Sequence, residues 1–505
     1  MEQSSVVLKS KTMVFSDTKE QSIECEMLLP DYYPEVEKVL QCSMELSEES
    51  VSLHADKISV AGKAGFTILF LSAEKQLYSF ATTEKYTKMI PCGETQSGDF
   101  CTVRQTKTQL SFRASAPRKI ELRAVAAVHA ELYRFTSAEA LSGLDGPSVE
   151  SLPKETACFV THALQAVSLD LMKSVKLPVA RDKVTAVVRK SARLRFTEIK
   201  TIANKVMLNG DLDAALTLAT NDGAVYSDLQ FRLPVTEVKE VFGVEENDAC
   251  YISAGRCAVD VNLKASQGES DLCELQIRSS CVLLAGRQEK TSFLTDAYCT
   301  DAALHVTAAP VQLDSAVSSV QTTFPFSAQA EYYDDSVTEV CAAFVSDIRF
   351  FCAAEKEKTE ISGSATVNAL LKNKADAFSF VSRSATFTFE KPEAAGQRQR
   401  FYEVDCQSVS ASLASSGLLQ FTGEFCLHGF ETEQKAEEML TAAALPENES
   451  TRGIHEKIVV YYASKGETLW NIAKENKSTV KQITAHNQLK DSALQENTVL
   501  VFPAY

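Results

Sequence analysis

No stretch of this 505-residue chain approaches the roughly 18 consecutive apolar residues of a membrane-spanning helix. Met1 to Glu20 is polar and mixed in charge, without the apolar centre of a secretory signal. The expectation is a chain that is not exported by the general secretory route. Catalytic signatures are equally sparse. The seven histidines, His54, His129, His162, His305, His428, His455 and His486, stand apart from one another and from His-Glu-x-x-His or His-x₃-His spacing. There is no Walker loop, no G-x-G-x-x-G and no nucleophile elbow, and the fourteen cysteines include no C-x-x-C. Acid pairs such as Glu48-Glu49 and Asp334-Asp335 sit in polar stretches and read as solvated turns. These absences point away from an enzyme and imply neither metal nor cofactor. Scattered thiols in a chain without an export signal read as small, reduced core residues.

What is present is the composition of a globular protein: 45% hydrophobic and 23% charged residues, enough chain for three or four cores. The net charge is −16, unevenly placed. Residues 457–505 hold six lysines against four acids and carry +2, leaving −18 on the rest. An acidic body argues against nucleic acid as a partner.

The body repeats itself. Val36, Gly62 and Ser79 recur 148 residues later as Val184, Gly210 and Ser227, and again as Val337, Gly363 and Ser379 at spacings of 153, 153 and 152. Pro30, Pro178 and Pro325 precede them, which puts a short insertion between Pro325 and Val337. Ile58–Gly62, Val206–Gly210 and Glu360–Gly363 alternate apolar and polar residues, the period of a half-buried strand. Ile120–Ala124 and Leu275–Ser279 alternate likewise, with Val409–Leu413 as the third counterpart. The expectation is a mainly β protein with three tandem sandwich- or barrel-like repeats over 12–145, 155–298 and 300–431. The repeated glycine predicts a turn or bulge, and the repeated serine no nucleophile. Thr432 to Leu445 predicts a helix, and Pro446 to Gly453 a flexible linker, so that 432–456 joins body to tail.

The tail carries the most specific signal. Tyr461, Gly466-Glu467-Thr468-Leu469-Trp470, Ile472-Ala473, Asn487, Leu489, Leu494 and Leu500-Val501-Phe502-Pro503 follow one another at the spacing of a complete small module. Thr479 with Gln482 has capping-box spacing, and Val499–Phe502 reads as a strand. Over 457–505 the chain resembles a LysM domain, a βααβ fold that holds N-acetylglucosamine polymers such as peptidoglycan. The resemblance implies a groove between two loops, Gly466, Glu467, Thr468 and Leu469 on one side and Asn487, Gln488 and Leu489 on the other. Two positions depart from the family pattern: Glu467 replaces an aspartate, and Asn497 a glycine whose positive φ an asparagine tolerates. A protein-docking LysM would read the same way, so glycan and protein both stand as ligands.

Tandem strand-rich units followed by one LysM resemble the SPOCS-domain spore-coat morphogenetic proteins of endospore-forming Clostridia, the SipL type. That resemblance implies a non-enzymatic scaffold in the mother-cell cytoplasm, at the forespore surface and spore coat, docking a SpoIVA-like coat ATPase. The alternative is a peptidoglycan-binding protein of cortex or cell wall. A third, a hydrolase anchored by its LysM, would require a catalytic cleft in a repeat.

Overall fold

The computed structural model describes residues 2–263, 271–334, 336–355, 357–393, 396–415, 417–445, 457–489, 494 and 496–504. The linker expected at 446–453 lies outside them. The body is mainly β, in three units of the same plan. The first contains β1 (Glu2–Leu28), β2 (Lys38–His54), β3 (Lys57–Leu71), β4 (Leu77–Pro91), β5 (Phe100–Ala116) and β6 (Lys119–Asp145). In the second, β7 (Val149–Lys176), β8 (Val184–Ile202), β9 (Lys205–Thr220) and β10 (Val225–Glu240) precede β11 (Ala249–Ala254), β12 (Ala258–Asn262) and β13 (Leu272–Cys299). The third has β14 (His305–Glu331), β15 (Val337–Ala354), β16 (Lys358–Asn373), β17 (Phe378–Pro392), β18 (Gln397–Ser415) and β19 (Leu418–Ala444).

Each unit is a sandwich of two antiparallel sheets. In the first the orders are β1-β6-β5 and β2-β3-β4, and the others follow suit, with β11 and β12 together filling the place of β5. The core forms where the alternating faces meet. Met27, Ile58, Phe66, Phe70, Ile120 and Val128, drawn from both sheets of the first unit, are all fully buried. Central strands place a buried residue at every second position, so register is pinned: a one-residue slip would turn each apolar face outward.

The first and last strands of each unit are far longer than the five or six residues typical of globular sheets, and each unit uses the excess in the same way. Beyond the sandwich, residues 2–12 pair only with 134–145, 149–160 only with 287–299, and 305–313 only with 435–444. These three two-stranded arms pack together in successive apolar layers. One joins Leu8 and Ala140 to Cys158 and Phe293 and to Val311 and Met439; the next joins Leu144, Leu294 and Leu440. At the base of the arms, Tyr133, Phe159, Phe401 and Phe430 form an aromatic layer from all three units. Neither arm face could be buried by a lone unit, so the arms hold the three sandwiches together.

The bulges record the repeat most faithfully. Val14, His162 and Ser315 each bulge from the first strand of a unit at the base of its arm, and Ser142, Thr295 and Thr441 from the last strand within the arm. The first set is spaced by 148 and 153 residues, the second by 153 and 146. The extra residues therefore belong to the second unit, between Ser227 and Thr295, and not between Pro325 and Val337 as expected. Pro325 itself lies within β14 opposite Glu424, so it is no counterpart of Pro30 and Pro178, which follow their strands.

Two further expectations are corrected. Thr432 to Ala444 is not a helix but the end of β19, antiparallel to β14. Its helix-forming Ala, Glu, Lys and Met residues favour a helix by only a few tenths of a kcal/mol each. Burial of Thr432, Met439, Leu440 and Ala443 among the arms overrides that preference. The third counterpart of Ile120–Ala124 and Leu275–Ser279 is likewise on β19, around buried Leu419 and Phe421, while Val409–Leu413 lies on the outer strand β18.

Contrary to expectation, the repeated glycines do not themselves turn or bulge but sit against bulges of the neighbouring strand. Gly62 and Gly210 face partner-strand bulges at Glu48/Ser50 and Phe196/Glu198, and Gly363 flanks one at Ser346/Arg349. A Cβ on Gly210 would lie 2.1 Å from the Arg195 carbonyl oxygen, and one on Gly363 2.2 Å from that of Arg349. Ser79, the first of the repeated serines, accepts a hydrogen bond from Val187 N at 2.8 Å and so joins the first unit to the second.

Between the sandwiches lies a chamber of about 1560 Å³ walled by all three units. Its charges are largely matched across unit boundaries. Lys107 meets Asp347 at 2.7 Å, Arg104 meets Glu403 at 3.3 Å, and Lys190 meets Glu45 at 3.2 Å.

Candidate binding site

The LysM module pairs β20 (Lys457–Ala463) with β21 (Thr498–Ala504) and places α1 (Leu469–Glu475) and α2 (Val480–Asn487) on one face of that sheet. Its local signals act where the sequence places them. Thr468 is the N-cap of α1, its hydroxyl accepting from Asn471 N at 3.3 Å. Thr479 and Gln482 form the reciprocal capping box of α2, at 3.1 and 3.2 Å. Each such cap is worth about 1 kcal/mol. The core gathers Leu469, Ile472, Ala473, Ile483, Leu494, Leu500 and Phe502.

The seven groove residues divide into supports and exposed positions. Leu469 is fully buried. Asn487 is tied to the fold: its amide donates to the Ile483 and Val501 carbonyls at 2.9 Å, and its oxygen accepts from Val501 N at 2.8 Å. Leu489 is half-buried against the core. Glu467 is half-buried and folded back, its carboxylate accepting from Ser464 N at 3.0 Å. Gly466, Thr468 and Gln488 are exposed. Gly466 has φ +92°, a conformation that only glycine adopts cheaply, and Gln488 closes α2 in the left-handed region at φ +52°. Asn497 is not among the residues of positive φ; its side-chain oxygen instead accepts from Lys465 N at 2.8 Å and steadies the first loop.

One contact was not legible in the sequence. Asp296, near the end of β13, accepts from Trp470 Nε1 at 2.8 Å and from Lys474 Nζ at 2.7 and 2.8 Å. Burial opposes the charge on Asp296, but Lys474 and Trp470 outweigh it and hold its carboxyl below the usual range. Tyr298 donates to the Ser478 carbonyl at 2.8 Å, and its ring meets the edge of Trp470 at 4.9 Å. The module is thereby docked on the arm of the second unit through α1 and the turn after it. Among the described residues, the hydrogen bonds of its groove loops stay within the module.

Elsewhere the titratable groups read as structural. His162, Glu245 and Asp248 lie close enough together to hold a cation, but the Arg287 guanidinium already occupies that place, bonding Asp248 at 3.0 Å and pairing with Glu245. The cysteines are free thiols, and burial pushes Cys42 and Cys101 up to about 12, far from a reactive thiolate.

Residues 461–503 match the LysM domain family, so the chain carries a LysM domain at the end of a mainly β body. No curated protein and no solved structure matches the chain. Among the described residues, no helix is long and apolar enough to cross a membrane.

Proposed function

We propose that this protein works by binding and not by catalysis, its LysM domain taking an N-acetylglucosamine polymer of the peptidoglycan type. The three-unit body serves as the platform. The observation that carries this reading is the division of surfaces on the module. Trp470, Lys474 and Ser478 hold it to the arm, while Gly466, Thr468 and Gln488 stay exposed on the loops expected to form the groove. Co-sedimentation of the full chain with purified peptidoglycan tests it. Wild type is expected in the pellet, and Lys465→Glu with Gln488→Glu, both exposed, in the supernatant with an unchanged circular dichroism spectrum. Wild type left in the supernatant would overturn the reading.

A second reading rests on the inward turn of the groove's own polar groups. The Glu467 carboxylate and the Asn487 amide are engaged within the module, leaving few side chains on the loops to bind sugar hydroxyls. This favours a protein ligand, and with it the SPOCS-type coat scaffold. In that role the chain would work in the mother-cell cytoplasm at the forespore surface, docking a SpoIVA-like ATPase. Capture of such an ATPase from sporulating-cell lysate, with no peptidoglycan binding, would select this reading over the first.

A further inference from the structure

We propose that the outer face of the LysM sheet is a self-association surface that joins two copies of this chain. In an isolated two-stranded sheet on a soluble module, the face turned away from the helices is expected to be polar. Here it is apolar throughout. Directly opposed pairs run Ile458 with Pro503, Val460 with Val501 and Tyr462 with Val499. The exposures are 80% for Ile458, 55% for Val460, 78% for Tyr462, 51% for Val499 and 42% for Val501. The inner face, through Tyr461, Leu500 and Phe502, already packs on α1 and α2, and docking on the arm uses α1. Among the described residues, the apolar face is therefore left uncovered. The other exposed large apolar residues are spread over the three units, so this concentration on one small sheet is distinct.

The occupant follows from area and shape. Those exposures amount to about 500 Å² per copy, within the range of the largest single patch on a typical monomer. Two such faces together remove about 1,000 Å² from water, the lower bound for a specific interface. The surface formed by these pairs carries no charged group, so nothing on it selects a different partner by charge. Its central row, Val460 and Val501, is flanked by Ile458 at one end and Tyr462 at the other. A two-fold axis through that row sets each copy's Ile458 against the other's Tyr462, the self-complementary arrangement of an isologous dimer. The two sheets then stack face to face about 10 Å apart.

Sedimentation equilibrium of the full chain from about 1 to 100 µM, the range suited to an interface of this size, tests the proposal. Wild type is expected to pass from one to two chain masses. Ile458→Lys with Tyr462→Lys places like charges across the axis and is expected to stay monomeric throughout. The milder Val460→Thr with Val501→Thr keeps β-branched residues in the strands and is expected to raise the dissociation constant at least tenfold. Trp470 fluorescence checks that the module is folded and docked in each variant. A wild type that is monomeric throughout, or a lysine variant that dimerises like wild type, overturns the proposal. So would lysine variants that lose peptidoglycan binding while wild type is monomeric, since the face would then be a glycan surface.

Discussion

Replacing Asp296 by alanine should loosen the LysM module's hold on the arm without unfolding either part. Asp296 gathers two hydrogen bonds from Lys474 and one from the Trp470 indole. The Lys474 ammonium is 42% exposed, so that pair contributes only about 0.5 kcal/mol after screening. The indole bond to a carboxylate that is three-quarters buried is worth more, about 1.5–3 kcal/mol. What is left is the Tyr298 hydroxyl bond, about 1 kcal/mol, and the edge contact between Tyr298 and Trp470, about 0.5–1.5 kcal/mol. Asp296→Ala therefore removes roughly half of the specific docking contacts, and Asp296→Ala with Tyr298→Ala nearly all of them.

Trp470 is the sole tryptophan in the chain, so its emission reads the contact directly. In the single variant the emission should shift to the red and acrylamide quenching should rise; in the double variant both should approach the values of the isolated module. The pH dependence has a definite sign. The Asp296 carboxyl is held below its ordinary value in the docked state, so its stabilisation is complete above about pH 4 and is lost as pH falls through the depressed pKa. Wild type should thus show the variant's red shift on acidification below about pH 4. Emission and quenching that do not change in Asp296→Ala with Tyr298→Ala would refute the docked geometry.

Other outcomes follow from the same structure. Leu469→Ala, at a fully buried core position, should cost the module about 2–5 kcal/mol, seen as loss of its own thermal transition with the body's transition unmoved. Gly363→Ala should destabilise the third unit by about 1–3 kcal/mol in urea titration, because the added methyl meets the Arg349 carbonyl and the Phe387 ring. Glu393 is partly desolvated, yet Lys391, Arg400 and Thr359 hold it down to about 2. Its contribution is therefore present above about pH 4.3 and fades as pH falls through 2, and Glu393→Gln should flatten the acid limb of a stability-against-pH curve.

The parts of the fold that were legible in the sequence are those where a local rule decides. Central strands such as β3 and β9 show alternation because one face meets the core and the other does not, and the module's caps and turns rest on residues within four positions of one another. The arms were not legible. In the arm of β1 the buried positions are Leu8, Ser10 and Lys11, a mixture that no periodicity rule reads as buried. Lys11 is 1% exposed because the third unit supplies Asp314 at 3.5 Å, the Thr432 hydroxyl and the Phe401 ring beneath it. Burial pulls the Lys11 pKa down and Asp314 pushes it back up. Such a lysine makes sense only once the first and third units, hundreds of residues apart, are assembled. The same holds for Thr432 to Ala444, where isolated propensity favours a helix and two neighbouring arms impose a strand.

The candidate site divides along the same line. Gly466, Thr468 and Gln488 are placed by turn and cap chemistry that any reader of the sequence can apply. The Asp296 contact joins positions 174 residues apart through side chains that are unremarkable alone. Function resides in that second kind of information. A LysM module tied to its chain only by a linker would sample its ligand in any orientation, whereas one held by Asp296 and Tyr298 presents its groove in a direction set by the arms. Whatever the groove takes, glycan or protein, is then bound at a fixed attitude to the three-unit body. That turns a small binding fold into a positioned one.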